Sequence, residues 1–139
     1  MKKIVFLFIS LVFFACNEKK EETNTKPTQM QTVMAIHDEV MPKMGKLGRL
    51  VGQLKEKVDT TAQSMVYQEA MKDLQEANMA MMDWMKGFGD RFDSDEILNG
   101  KELSPQKQEW LNEEEVKVKE LKEQINSSIA RAETLLGQE

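Results

Sequence analysis

The chain has a single histidine, His37, and it stands among methionines. Met34 lies three residues before it, Met41 four after and Met44 seven after. On a helix those spacings share one face. A second cluster, Met81, Met82 and Met85, surrounds Trp84, with Met79 just ahead of it. Thioether sulfur with one imidazole is a donor set for a soft ion such as Cu(I), and it needs no thiol. Met34, His37, Met41, Met44, Met81 and Met85 are therefore candidate metal ligands, with Asp38 or Asp83 placed to orient the second ring nitrogen. The plainer reading is packing: methionines fill irregular gaps around Trp84, and His37 is a core residue hydrogen-bonded to Asp83. A third reading is a docking face. Met65, Met79 and Met82 exceed what a three-helix core needs, which makes Met79, Met82 and Trp84 candidate contacts for a protein partner.

An enzyme fits the residues poorly. Nucleophilic catalysis pairs a histidine with a serine or cysteine, and His37 has no evident hydroxyl partner in sequence. No glycine loop of phosphate-cradling type is present. The spacing of Asp and Asn between positions 90 and 99 evokes a calcium loop, but alternate-position ligands, a central glycine and a closing glutamate are missing. Apart from Cu(I), no cofactor is called for.

The one cysteine, Cys16, follows a stretch with the marks of an export signal. Lys2 and Lys3 supply a positive start, and Ile4 to Ala15 is uncharged and broken only by Ser10. As a helix that stretch would span about 18 Å, short of the roughly 30 Å hydrocarbon core, so it reads as a signal-peptide core rather than a permanent span. It ends Phe13-Phe14-Ala15-Cys16, which resembles a bacterial lipobox; the two phenylalanines depart from the commoner leucine and small residue. The resemblance implies thioether diacylation of Cys16, cleavage before it and acylation of the new amine, enough chains for stable anchoring. An ordinary secreted protein with a stray cysteine is the alternative. Residues 16–29 carry no aliphatic or aromatic side chain beyond Cys16 and read as a flexible tether. Lys20-Glu21-Glu22 loosely resembles surface-export tags of Bacteroidota lipoproteins, though a solvated tether explains it more simply.

Three long helices must position the clusters. The composition is 31% charged and only 6% aromatic, with three prolines, which favours amphipathic helices over sheet. Met30, Val33, His37, Val40, Met44, Leu47, Val51, Leu54 and Val58 alternate in steps of three and four, the seam of a first helix from about Thr28 to Val58. Pro42 falls on its outer face, where water can satisfy the freed carbonyl of Asp38, so a kink is expected there. Gly48 borders the seam and would let another helix approach. A second helix from about Ala62 to Lys86 has its seam at Tyr67, Ala70, Leu74, Ala77, Met81, Trp84 and Phe88, ended by Gly87 and Gly89. Phe92, Ile97 and Leu98 are expected to tuck the following connector over the end of the bundle. Ser104-Pro105 starts a third helix, running to about Leu136 and ended by Gly137. Its inward residues are Trp110, Leu111, Val118, Leu121, Ile125, Ile129, Ala132 and Leu135, and its many glutamates look like a solvated face. The short turn near residue 60 would set His37 level with Asp83, bringing the two methionine clusters together at one end.

The fold expectation is all-α: an antiparallel bundle of three long helices (30–139) behind a lipoprotein signal peptide (1–15) and a lipidated, disordered tether (16–29). Without Lys2 and Lys3 the mature chain has 17 basic against 24 acidic residues, a net charge of −7. An acidic domain with no basic stripe argues against nucleic acid as a partner.

His37-Asp38-Glu39-Val40-Met41-Pro42-Lys43-Met44 and Met81-Met82-Asp83-Trp84-Met85 resemble the paired motifs of a family of small helical lipoproteins from Flavobacteria and related Bacteroidota. These often carry the label "viral A-type inclusion protein", which reflects coiled-coil composition rather than a viral role. The likeness covers most of the mature chain. It implies an envelope location and a helical fold, with no settled activity. His37, Met41, Met44, Met81, Met82, Trp84 and Met85 are the matching motif positions, of unassigned role. The functional expectation is a non-enzymatic binding or scaffolding protein, held by its lipid anchor in the cell envelope at the outer membrane, on the periplasmic or surface face. The alternative is Cu(I) binding or metal-stress buffering there.

Overall fold

A computed structural model describes residues 26–60 and 63–137, and among these every regular element is helical. Cys16, its signal stretch and most of the tether lie outside the described residues. The elements are α1 (Gln29–Val40), a 3-10 turn (Met41–Lys43), α2 (Met44–Lys55), α3 (Gln63–Arg91), α4 (Ser94–Leu98) and α5 (Pro105–Leu136).

Helix α1 starts at a capping box. The Thr28 hydroxyl accepts from the Gln31 backbone N–H, and the Gln31 side chain accepts from the Thr28 N–H. At Pro42 the expected kink is a full break into one 3-10 turn, in which the Met44 N–H reaches back to the Met41 carbonyl. Proline has no N–H to give Asp38, and the tighter turn satisfies the backbone over three residues instead of four. The buried face carries on through the break, from Val33 and Val40 to Leu47, Leu50 and Leu54.

Helix α3 runs past Gly87 and Gly89 instead of ending there, a correction with a clear cause. Neither glycine takes a positive φ. Trp84, Phe88 and Phe92 are all buried at spacings of four, and their rings contact one another in sequence. Burying each phenylalanine stabilises by about 1.5–3 kcal/mol, more than the roughly 1 kcal/mol that a helical glycine costs. The connector then folds into α4, capped by Asp93 and Glu96. Phe92 is buried and Ile97 packs on the core as expected, but Leu98 is 77% exposed. Gly100 (φ 69°) takes the left-handed turn that follows α4. Helix α5 opens on the Ser104 cap, whose hydroxyl accepts from the Lys107 N–H, and closes on Gly137 at φ 66°.

Side-chain pairs fix how the elements lie. Gln29 reaches Glu115 at 2.7 Å, Lys122 reaches Glu39 at 2.7 Å and Lys43 reaches Asn126 at 2.6 Å, so α1 and the turn run alongside α5 in the same direction. Arg91 meets Glu113 and Glu114, while Arg131 meets Asp73 and Glu69, so α3 runs opposite to α5. Helix α2 packs on both α3 and α5. The acidic face expected of α5 is not wholly solvated. Glu114 is 3% exposed, held by Arg91 and Lys117, each at 2.9 Å.

Candidate functional site

His37 sits in the last turn of α1, its side chain 14% exposed. Its Nδ1 lies 2.9 Å from Asp38 Oδ1. An ionised carboxylate only accepts, so Nδ1 carries the proton and a neutral ring offers its lone pair at Nε2. Asp38 is 72% exposed, which puts this pair at the rim of the core. The packing reading gave His37 to Asp83; the structure gives it to its own neighbour in sequence. Asp83 instead lines a groove between α3 and α5 with Lys117, Glu120 and Gln124. One residue of helix rotation, about 100°, separates Asp83 from Trp84 and turns it away from α1.

Trp84 is what His37 meets. The two ring centroids are 5.7 Å apart with planes tilted by 31°. Trp84 stacks on Phe88 at 4.9 Å, and Phe88 meets Phe92 at 4.8 Å with planes tilted by 42°. His37 thus caps a four-ring column down one side of α3. The contact falls one residue from the level expected of a turn near residue 60. Trp84 is buried, with its Nε1 lacking a hydrogen-bond partner; the little it exposes lines the α3–α5 groove with Asp83.

The methionines divide by face. Met81 is fully buried. Met34, Met41, Met44 and Met85 are half-buried and pack against the core. Met79 and Met82 are each 56% exposed, and Met65 is 66% exposed. The six residues read as metal candidates therefore lie inward or at the rim, and two of the three read as partner contacts lie outside. Met44 and Met79 also line an open, mainly apolar groove of about 400 Å³ between α2 and α3, with Leu47, Gly48, Val51, Leu74, Gln75 and Asn78. No other part of the described chain fills the space beside Gly48, where an added Cβ would meet nothing within 4 Å.

Beyond Asp38, further charged pairs lie along α1 and α5. The Lys122 ammonium hydrogen-bonds Glu39 and holds its carboxyl below the usual range. Lys119, and then Gln29, do the same for Glu115. Among the described residues no three histidine, cysteine or carboxylate groups converge as a cation site. Among the described residues, too, no helix is long and apolar enough to cross a membrane.

Sequence reasoning missed Glu114. Its position continues the step of three and four through Leu111, Val118 and Leu121, so periodicity marked it as inward. It was passed over because the residue type is acidic. No protein-family model, no curated protein and no solved structure matches the chain.

Proposed function

We propose that this protein is a lipid-anchored envelope protein with a non-enzymatic binding or scaffolding role. In this reading Cys16 carries the lipid, the following residues are a tether, and the rest is an antiparallel bundle of three long helices. One of the three is α1 and α2 joined as a rod broken at Pro42. Support for the bundle comes from the same-direction pairing of α1 with α5 and the opposite-direction pairing of α3 with α5.

The observation that carries the binding role is the α2–α3 face. It combines an open apolar groove, a vacant space beside Gly48, and Met79 and Met82 standing half out in water. Exposed methionine is an adaptable contact, since its unbranched, polarizable side chain reshapes to a partner at low cost. The anchor is tested by metabolic labelling with a radioactive fatty acid. Label and membrane association are expected in the native chain and lost in Cys16→Ala; label persisting in the variant disproves the anchor.

A second reading, soft-metal binding in the envelope, is favoured by a different observation. Asp38 fixes the His37 ring with Nε2 available, among half-buried thioethers.

A further inference from the structure

We propose that His37 Nε2, Met41 Sδ and Met85 Sδ form a three-coordinate Cu(I) site roofed by the ring of Trp84. This rests on the soft-metal reading and specifies its ligands.

The first ligand is already oriented. Asp38 Oδ1 accepts a hydrogen bond from His37 Nδ1–H at 2.9 Å, which fixes the tautomer and leaves the Nε2 lone pair for an ion, the usual arrangement of a metal-binding imidazole. Met41 is the second ligand. It lies four residues on, its backbone still helical (φ −53°, ψ −42°), so the face shared with His37 survives to that residue and breaks only after it.

The third ligand comes from α3. His37 stands against Trp84, and the groove in which Met44 and Leu47 meet Asn78 and Leu74 runs in the same register. On that register Met85 comes level with His37, and Met81 with Met41. Of these two, Met81 is fully buried and serves as core, whereas Met85 is half-buried like Met41 and His37. Half-burial is what an exchangeable ion needs: a path in, and little competing water.

Chemical class follows from the donors. Two thioethers and one imidazole are soft and neutral, and a d¹⁰ monovalent ion accepts three of them without a preferred higher geometry. Hard dications would want carboxylates, which do not converge here among the described residues. Trp84 then has a function beyond packing. The imidazole centroid lies 5.7 Å from that of the indole, so in this site the aromatic face stands beside the bound charge, which an indole attracts.

The test uses the full-length chain in detergent micelles, with its methionine methyl groups labelled with ¹³C. Cu(I), kept reduced by ascorbate under anaerobic conditions, is titrated against the chromophoric chelator bicinchoninate. One equivalent should bind. The Met41 and Met85 methyl resonances should move, while those of Met65, Met79 and Met82 stay. Tryptophan emission should be quenched, and Trp84→Phe should abolish the quenching. Met41→Leu and Met85→Leu, which keep side-chain volume, should each weaken binding at least about tenfold. Asp38→Ala, at an exposed position that cannot unfold the core, should weaken it by roughly 10–100-fold. Failure to compete with the chelator at any ratio overturns both the site and the soft-metal reading. Binding that moves Met79 and Met82 instead leaves soft-metal binding standing and overturns this ligand set, as does indifference to Asp38→Ala. Neither result touches the lipid anchor or the α2–α3 docking face.

Discussion

Replacing Gly48 by alanine should make the isolated protein more stable. Alanine is favoured over glycine by about 1 kcal/mol within a helix, because glycine loses more backbone freedom on folding. The gain is realised only if the new methyl group meets nothing, and at Gly48 it would meet nothing within 4 Å. Gly45 and Gly52 are equally open and none of the three has a positive φ. Gly45 is in the first turn of α2 and Gly52 in the last, where fraying weakens the effect, so about half the gain is expected from each. The triple alanine variant should therefore gain about 2 kcal/mol. At about 4–8 °C per kcal/mol for a domain near this size, its Tm should rise by roughly 8–16 °C. Circular dichroism melting, repeated over a hundredfold range of protein concentration, measures it. A Tm that falls in Gly48→Ala alone refutes the reasoning, because the space would then be in use. A fall that deepens with concentration would identify the user as a second copy of the chain.

Leu74→Ala, at a fully buried position of α3, should cost about 2–5 kcal/mol in urea unfolding; a loss under about 1 kcal/mol would contradict its place in the core. Arg91→Met leaves buried Glu114 with Lys117 alone and takes the guanidinium off the Trp110 ring. It should cost about 1–3 kcal/mol, and adding Glu114→Gln should restore part of that, since the uncompensated charge is then gone; a double variant less stable than the single one would contradict this. Acid should destabilise the fold through Glu39, Asp93, Glu96, Glu113 and Glu115. Hydrogen bonds from Lys122, Lys101, Lys107, Arg91 and Lys119 respectively hold these carboxyls below their ordinary values. Because the folded values are depressed, the stabilisation is present above the unfolded carboxylate pKa of about 4 and lost as pH falls through the folded ones. The urea midpoint should hold between about pH 5 and 7 and drop below pH 4; a midpoint rising on acidification would contradict the pairing.

Helix content and the buried seam were legible in the residues because apolar spacing reports directly on burial. Val33, Val40, Leu47, Leu54, Leu74, Met81, Val118 and Ile125 all fell where periodicity put them. The level at which His37 meets α3 was legible too, since a short turn leaves little freedom in register. Helix ends were less so. Gly87 and Gly89 look like a stop signal locally, yet the Trp84–Phe88–Phe92 column, whose energy is tertiary, carries α3 through them. The break at Pro42 was placed correctly but read as a kink, because sequence shows that a hydrogen bond is lost and not how the backbone recovers. Residue type misled at Glu114. A glutamate on an inward position was read as solvated, whereas Trp84 is buried as its place on the seam required.

Met79, Met82 and Met85 follow at steps of three on α3, yet they belong to different environments. Each step of three advances the helix by about 300°, so the run drifts steadily around the axis, from half out in water at Met79 and Met82 to half-buried at Met85. One short segment thereby supplies a candidate docking surface and, about 60° further round, a candidate ligand, with the buried Met81 about 40° beyond that. A thioether suits both, because the same soft, unbranched side chain yields to a partner's shape and donates to a soft ion. Leucine, nearly equal in volume, can do only the packing part. Leucine at Met79 and Met82 should thus leave Cu(I) affinity unchanged, while leucine at Met41 and Met85 should leave the fold intact and remove the ion. If all four substitutions were silent in every binding assay, the methionines would be packing alone, and the excess of them on the exposed face would have no physical account.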